Sequence, residues 1–235
     1  KALRNGITVS LIQTISDKKA IYLYLKVKSE DKKLNNGMSF VWAKINIKGF
    51  GNIDGVAGDL NVTSDYEGVF EVRMDVLSEY KEKNLDIDGK DIELNLNCLR
   101  QVYKTSAYYK VNDDIAQGEW KINWKGKSNN SSKVIKPNQT IIHHKNKLTV
   151  IKMEITPLTV TIDFDYPARK EYEEIYIPFT VVMKDGTKYK TTESGFNTIF
   201  YGNVMGKNLA MNISKPLDID EIDYVDIAGQ QYKVR

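Results

Sequence analysis

Few residues in this sequence are of the types that do covalent or metal chemistry, and their spacing does not favour it. The only histidines, His143 and His144, are adjacent. Adjacent residues of a strand point to opposite faces, so this pair cannot easily chelate one ion. The single cysteine, Cys98, lies in phase with Leu94 and Leu96. It is therefore predicted to be a small apolar core side chain rather than a nucleophile.

Two acidic segments carry clustered carboxylates. Residues 86–93 read DIDGKDIE, and a second acidic run lies within residues 218–226. A helix–loop–helix calcium site needs a longer spacing and a glutamate that follows its loop, whereas residues 86–93 lead into a strand pattern. Both segments are predicted to be solvated turns that hold no metal, with calcium binding as the alternative.

The motifs of common enzyme classes do not occur in the sequence. It contains no Gly-x-Ser-x-Gly elbow, no phosphate-binding glycine loop and no paired histidine and cysteine ligands. Its carboxylates are scattered, and no acid–base pair stands out among them. The sequence thus predicts a protein that is not an enzyme and uses no cofactor.

Aromatic residues are the better candidates for binding. Trp120 and Trp124 share one face of a strand pattern with Ile122, and an exposed face of this kind could stack sugar rings. The isoleucine between them favours a hydrophobic core instead. Tyrosines that fall outside the apolar faces are predicted to form a ligand or partner surface. They are Tyr22, Tyr24, Tyr103, Tyr108 and Tyr109.

Composition and charge exclude several classes of protein. The 235 residues include 34 basic and 31 acidic ones, which gives a net charge of +3. Residues of the two signs are interspersed along the chain. The sequence has no basic arm or groove of the kind that would predict binding to nucleic acid. A bilayer-spanning helix needs about twenty apolar residues, and no run of that length occurs. Since the chain begins at Lys1, we expect a processed or excised piece whose preceding segment anchors it to a membrane.

Alternation of apolar and polar residues runs through most of the chain and predicts strands of an all-β protein. Asp185-Gly186 is the strongest hairpin-turn signal. Residues 49–65 contain four glycines and are predicted to be a long irregular loop. The predicted core is drawn from the apolar faces of the strongest strands: Leu23, Leu25, Val72, Leu94, Trp120, Ile122, Val160, Ile162 and Phe179.

Residues 148–166, LTVIKMEITPLTVTIDFDY, organise the predicted architecture. They contain two alternating segments separated by Pro157, which cannot donate to a strand ladder. We interpret Pro157 as the place where one β-domain gives way to the next. The prediction is two immunoglobulin-like β-sandwich domains in tandem, 1–147 with the long loop insertion and 148–235.

Four phrases together carry a family resemblance. They are NGITVSLIQTISDKKAIYLYLKVKS at 5–29, GEWKINWKGK at 118–127, ITPLTVTIDFDY at 155–166 and EIDYVDIAGQQYKV at 221–234. In this order they resemble the extracytoplasmic region of an anti-sigma-factor-like family of unknown function in low-GC Gram-positive bacteria. Members of that family have a short cytoplasmic segment, one membrane helix and immunoglobulin-like domains outside the cell.

The resemblance implies a non-enzymatic sensing or interaction module at the cell surface. Its partner would be an unknown protein or a cell-envelope ligand, and the membrane would be reached only through a segment that precedes Lys1. A carbohydrate- or cell-wall-polymer-binding module is the alternative, suggested by tyrosines on a β-scaffold. Either function fits such a fold, because β-sandwiches carry many functions.

Overall fold

The period-two pattern of the sequence is realised as strands along nearly all of the chain that can be described. The computed structural model describes residues 1–17, 20–57, 59–75, 87–104, 109–129, 131–143, 146–165, 177–190, 207–212 and 216–234. Within these ranges the only helical element is a short 3-10 turn, Ile219–Glu221, and the all-β prediction is confirmed.

Two compact units make up the chain, residues 1–129 and 130–235. The predicted boundary near Lys147 is wrong, because it falls inside a strand of the second unit. The strands Lys133–Ile135 and Gln139–His143 both pair with Asn146–Ile155. These hydrogen-bonded ladders place residues 133–143 in the second unit. Sequence alternation alone could not show to which unit these residues belong.

The described strands of the first unit form one nine-stranded sheet with the order β1-β2-β3-β7-β5-β4-β8-β9 and β6 paired to β7. All of its pairings are antiparallel. The strands are β1 Ala2–Arg4, β2 Ile7–Ser16, β3 Ala20–Ser29, β4 Met38–Ile47, β5 Gly51–Ala57, β6 Asn61–Ser64, β7 Glu67–Asp75, β8 Asp91–Lys104 and β9 Tyr109–Lys125.

This sheet folds over into two layers, and β5 joins them. The first part of β5 pairs with β4, whereas Val56 and Ala57 pair with β7. Strands that change partner in this way form the corners of packed sheets. The predicted irregular loop at 49–65 is therefore wrong, since it contains β5 and β6. Glycines and turn formers within this segment masked the strands, because a period-two pattern cannot be recognised where apolar residues are sparse.

Aromatic side chains from both layers meet in the core of the first unit. The ring of Phe40 makes edge contacts with Phe70 at 5.0 Å and with Trp120 at 5.4 Å between centroids. The Trp120 indole also donates a hydrogen bond of 2.9 Å from Nε1 to the Ile7 carbonyl. Every predicted core residue of this unit is buried: Leu23, Leu25, Val72, Leu94, Trp120 and Ile122.

The described strands of the second unit form two antiparallel sheets around a separate hydrophobic core. One sheet has the order β10-β12-β13-β16 with β11 on β12, and the other has β15-β14-β17-β18. The strands are β10 Lys133–Ile135, β11 Gln139–His143, β12 Asn146–Ile155, β13 Thr159–Asp165, β14 Phe179–Met183, β15 Lys188–Lys190, β16 Lys207–Asn212, β17 Ile222–Ile227 and β18 Gln230–Lys233. The predicted core residues Val160, Ile162 and Phe179 are buried.

Pro157 lies in a hairpin turn, not at a domain boundary. β12 and β13 are neighbours whose register ends at Ile155 opposite Val160. The Thr156 hydroxyl accepts from the Thr159 N–H at 2.9 Å, and the Thr156 N–H donates to the Thr159 carbonyl at 2.9 Å. Proline is tolerated here because the turn needs no donor from it, so the interpretation of Pro157 as a handover between domains is wrong.

Candidate functional site

The five predicted surface tyrosines do not form one described site. Tyr22 is only 7% exposed and Tyr24 is half-buried. The backbones of Tyr103 and Tyr109 lie at the end of the β8–β9 pair, while their side chains and all of Tyr108 fall outside the described part. β3 is not a neighbour of β8 or β9 in the sheet, so strand pairing does not bring the two groups together.

The expectation that Tyr22 is exposed is wrong, and its position in the sheet explains why. β3 is a central strand, and Tyr22 lies in register between Ile15 on β2 and Arg73 on β7. Cross-strand neighbours are close enough to cover one another even on an outer face. Burial, together with a hydrogen bond to Glu71, raises the pKa of Tyr22 above its ordinary value. Tyr22 is thus a structural side chain of β3.

The carboxylates of the first acidic segment have separate protein partners. The Asp88 carboxylate accepts from the Ser128 N–H at 2.6 Å, and Asp91 forms an ion pair with Lys125 at 2.6 Å. Hydrogen bonding from Lys125 lowers the pKa of Asp91. Asp86 lies outside the described residues. The visible carboxylates of this segment therefore diverge instead of converging on one ion.

The second acidic run has the same character. Asp218 accepts from the Asp220 N–H, Asp223 pairs with Lys233 at 2.6 Å, and Asp226 accepts from the Gly229 N–H. β11 ends at His143, and His144 lies outside the described residues. Within the described ranges, no three His, Cys, Asp or Glu side chains are grouped so that they could hold a metal.

Cys98 is not in the core, contrary to the prediction. The buried series Ile92, Leu94 and Leu96 continues with Leu99, so the alternation shifts by one residue at Cys98. Cys98 is half-buried, and its φ of 37° lies in the left-handed region. The register of β8 against β9 is irregular at the same place. A period-two series read from the sequence cannot anticipate such a bulge.

A surface that the sequence interpretation missed lies on the outer side of β4, β8 and β9. Inward residues such as Ile45 and Leu94 are buried, so the residues between them face outward. The strand registers align nine of these outward residues in three rows. The rows are Trp42–Asn97–Glu119, Lys44–Asn95–Lys121 and Asn46–Glu93–Asn123, and we call these nine residues the amide face.

Trp42 is the one large apolar side chain of the amide face, and it is 39% exposed. It follows another exposed apolar residue, Val41, and precedes the buried Ala43. The sequence holds a signal for this position, because Trp42 is out of phase with Ala43, Ile45 and Ile47. Two consecutive apolar residues at 41 and 42 hid the signal, since they allow either phase.

Asn95 lies in the middle row and is only 9% exposed although it faces outward. Its Nδ2 donates to Glu93 Oε1 at 3.0 Å, which fixes the orientation of the carboxamide. Its Oδ1 is buried and has no hydrogen-bond donor among the described residues. Buried acceptors are almost always satisfied, so this oxygen is an exception in the sheet, and its burial keeps it out of reach of solvent.

The amide face can offer a partner only noncovalent contacts. An indole ring supplies a flat apolar surface, and carboxamides donate and accept hydrogen bonds. Lys121 is paired with Glu119 at 3.4 Å. The three antiparallel strands hold these groups on a rigid support, which is the requirement for a specific binding surface.

Comparisons with known proteins indicate the fold alone. No protein-family model and no curated protein matches this chain. A crystal structure described as that of the conserved domain protein from Bacillus anthracis is similar, with a TM-score of 0.57 and 16% sequence identity. The similarity covers 97% of this chain and 76% of that one. Among the described residues, no helix has the length and apolar character that crossing a membrane requires.

Proposed function

We propose that this chain is a non-enzymatic sensing or interaction module on the extracytoplasmic side of a membrane-anchored, anti-sigma-factor-like protein. A segment that precedes Lys1 would supply the anchor. The observation that carries the proposal is the amide face, an outward sheet surface with an exposed indole among carboxamide side chains. Such a surface suits reversible recognition.

The finer architecture belongs to the same proposal. Each unit packs antiparallel strands in two layers around its own core, which supports a pair of immunoglobulin-like β-sandwiches. The similarity in fold to the Bacillus anthracis protein extends over 97% of this chain and so includes both units. The four phrases that resemble the anti-sigma-factor-like family supply the placement outside the membrane.

Cysteine labelling of the full-length protein in living cells tests this placement. Cys98→Ser removes the single thiol of residues 1–235, and Lys188→Cys places a new one at an exposed position of β15. A membrane-impermeant maleimide should label the double variant in intact cells. Cys98→Ser alone is the matched control, and the double variant should be labelled more strongly than it. Labelling that appears only after lysis would refute the extracytoplasmic placement.

A carbohydrate- or cell-wall-polymer-binding module is the second candidate. The exposed indole of Trp42 among amide side chains favours it, whereas the burial of Tyr22 weakens the tyrosine surface on which it first rested. Sedimentation of the purified chain with insoluble cell-wall material tests it. The chain should cosediment, and Trp42→Ala should remain in the supernatant.

A further inference from the structure

We propose that this chain forms a symmetric dimer in which the outer side of β1, β2, β3 and β7 packs against the same surface of a second copy. We call this surface the β3 face. It consists of the residues of these four strands that alternate with buried ones. The inference goes beyond the proposed function and does not depend on where the chain is located in the cell.

Exposed apolar side chains are the first feature of the β3 face. Leu3 of β1 is 51% exposed and lies in register with Thr8, which stands between two buried residues of β2. Ile12 of β2 is 56% exposed, at the place where the register of β2 against β3 shifts by one residue. Among the described residues of the first unit, these are the two most exposed large apolar side chains. A single partner can cover both, because they lie on one side of the sheet.

The order of charges along β3 and β7 is the second feature. Outward residues of the two strands form four rows, with Lys28 and Glu67 in the first, Lys26 in the second, Glu71 in the third and Arg73 in the fourth. Lys26 and Lys28 both form ion pairs with Glu67. One end of the face therefore holds two cations around one carboxylate, and the other end holds one charge of each sign.

Twofold symmetry brings unlike charges of two such faces together. Sheets that pack face to face keep their strand directions within about 30° of each other, and a twofold dimer uses the same patch on both copies. An axis between the faces that crosses the strands places the first row over the fourth row of the second copy, and the second over the third. Glu67 then faces Arg73 of the second copy, and Lys26 lies next to Glu71 of the second copy. Each contact occurs twice.

This reciprocity is the reason for choosing a second copy as the partner. Any other partner would have to carry the same sequence of charges in reverse order, whereas the chain supplies that sequence itself. The same axis brings the exposed Leu3 over the row that contains the half-buried Ile15 of the second copy. Apolar contacts on the β2 side thus accompany the ion pairs on the β7 side.

The size of the face predicts a weak dimer. Outward residues of one strand are about 6.7 Å apart and neighbouring strands about 4.8 Å apart, so four rows and four strands span about 20 Å by 14 Å between backbone positions. With side chains at the margins, each copy would bury about 500 Å², which makes about 1,000 Å² in total. This area is at the lower limit for specific interfaces, and we expect dissociation in the micromolar range.

Sedimentation equilibrium of the purified chain at about 5 to 500 μM covers this range and tests the proposal. The weight-average mass should rise with concentration from that of the monomer towards that of the dimer. Glu67→Arg and Arg73→Glu should each weaken dimerisation at least about tenfold, because each substitution places like charges opposite one another in both symmetry-related contacts.

An equimolar mixture of these two variants should dimerise about as well as the parent. In the mixed dimer the new arginine of one copy faces the new glutamate of the other, and the native Glu67 faces the native Arg73. Such rescue distinguishes loss of a contact from loss of folding, because a variant that is only destabilised is not restored by another destabilised chain. Circular dichroism should show that each variant keeps the strand content of the parent.

Ile12→Arg tests the apolar part of the face, and Val41→Arg is the matched control. Ile12→Arg should weaken dimerisation at least about tenfold, because it places a charge in the contact. Val41 is 45% exposed and lies on β4, which is not a strand of the β3 face. Val41→Arg should therefore dimerise within about twofold of the parent.

Three results would overturn the proposal. A parent chain that stays monomeric at about 500 μM would exclude the dimer, since an interface of this size should hold at that concentration. A dimer that resists Ile12→Arg and dissociates on Val41→Arg would place the contact on another surface. Glu67→Arg and Arg73→Glu variants that are folded but remain monomeric when mixed would refute the reversed arrangement of rows.

Discussion

Replacement of Trp120 by alanine should destabilise the first unit by about 5 kcal/mol. The side chain is fully buried, and burial of this kind makes Trp→Ala cost about 3–5 kcal/mol. Loss of the 2.9 Å hydrogen bond also leaves the Ile7 carbonyl without its indole donor, which adds about 1–3 kcal/mol when water does not replace it. The edge contact with Phe40 is lost as well. A domain is stable by only about 5–15 kcal/mol, so the variant should be close to unfolding.

Urea denaturation followed by tryptophan fluorescence measures this loss. All three tryptophans of the chain lie in the first unit, so the signal does not report on residues 130–235. The variant keeps Trp42 and Trp124 as reporters, so the transition midpoints of parent and variant can be compared. With a slope of about 2 kcal/mol per molar urea, the transition midpoint should fall by about 2.5 M.

Trp120→Phe is the matched control, because it keeps a ring in the core while removing the N–H donor. Trp120→Phe should lower the free energy of unfolding by less than Trp120→Ala does, because the phenyl ring fills part of the cavity that alanine leaves empty. A loss under about 1 kcal/mol for Trp120→Ala would mean that the indole does not tie the two layers together. The description of the core would then be wrong at its centre.

Three further substitutions test other parts of the structure. Gly126→Ala should destabilise the first unit by about 3 kcal/mol in urea melts, because its Cβ would lie 2.1 Å from the Ile87 carbonyl oxygen. Thr156→Val should cost the second unit about 2 kcal/mol, measured by calorimetry, since the buried Thr159 N–H loses its acceptor. Asp163→Asn should raise the melting temperature of the second unit at neutral pH, because burial raises the pKa of Asp163 and disfavours its charged form.

The pH dependence of Asp163 has a definite sign. A carboxyl whose folded-state pKa is raised binds more protons when native, so stability falls as pH rises above the unfolded value of about 3.8. The gain from Asp163→Asn should vanish below that pH. Asp185→Asn is the opposite control. A hydrogen bond from the Thr187 N–H lowers the pKa of Asp185, so its contribution is present above the unfolded value and is lost in acid.

Controls for the other two variants come from the same chain. In Gly186→Ala the added methyl group would lie in open space, although the φ of 86° at this position imposes a backbone strain of about 1–2 kcal/mol on alanine. It should therefore be milder than Gly126→Ala. Thr140→Val loses only an exposed bond to Thr149 and should stay within about 0.5 kcal/mol of the parent. Equal losses of stability in Gly126→Ala and Gly186→Ala would contradict the steric argument. Equal losses in Thr156→Val and Thr140→Val would contradict the hydrogen-bonding argument.

The sequence by itself determined the strongly alternating strands and their inward faces. Leu23, Leu25 and Val72 alternate with polar residues, and each is buried. This works because side-chain direction in a strand depends only on local geometry with a period of two residues. Asp185-Gly186 likewise predicted the hairpin between β14 and β15, since a turn of this kind needs a positive φ that glycine adopts readily.

The tertiary structure alone decided most of the strand pairings and what covers each outer face. Gly55 lies in a strand because β4 offers a partner to β5, and Lys147 belongs to the second unit because β11 pairs with β12. Tyr22 is buried by neighbours on β2 and β7, whereas Trp42 is exposed after a shift of phase. Other pairings, such as β3 with β7 and β4 with β8, join parts of the chain that are distant in sequence. The outcome of pairing depends on competition among all available strands, which no local pattern encodes.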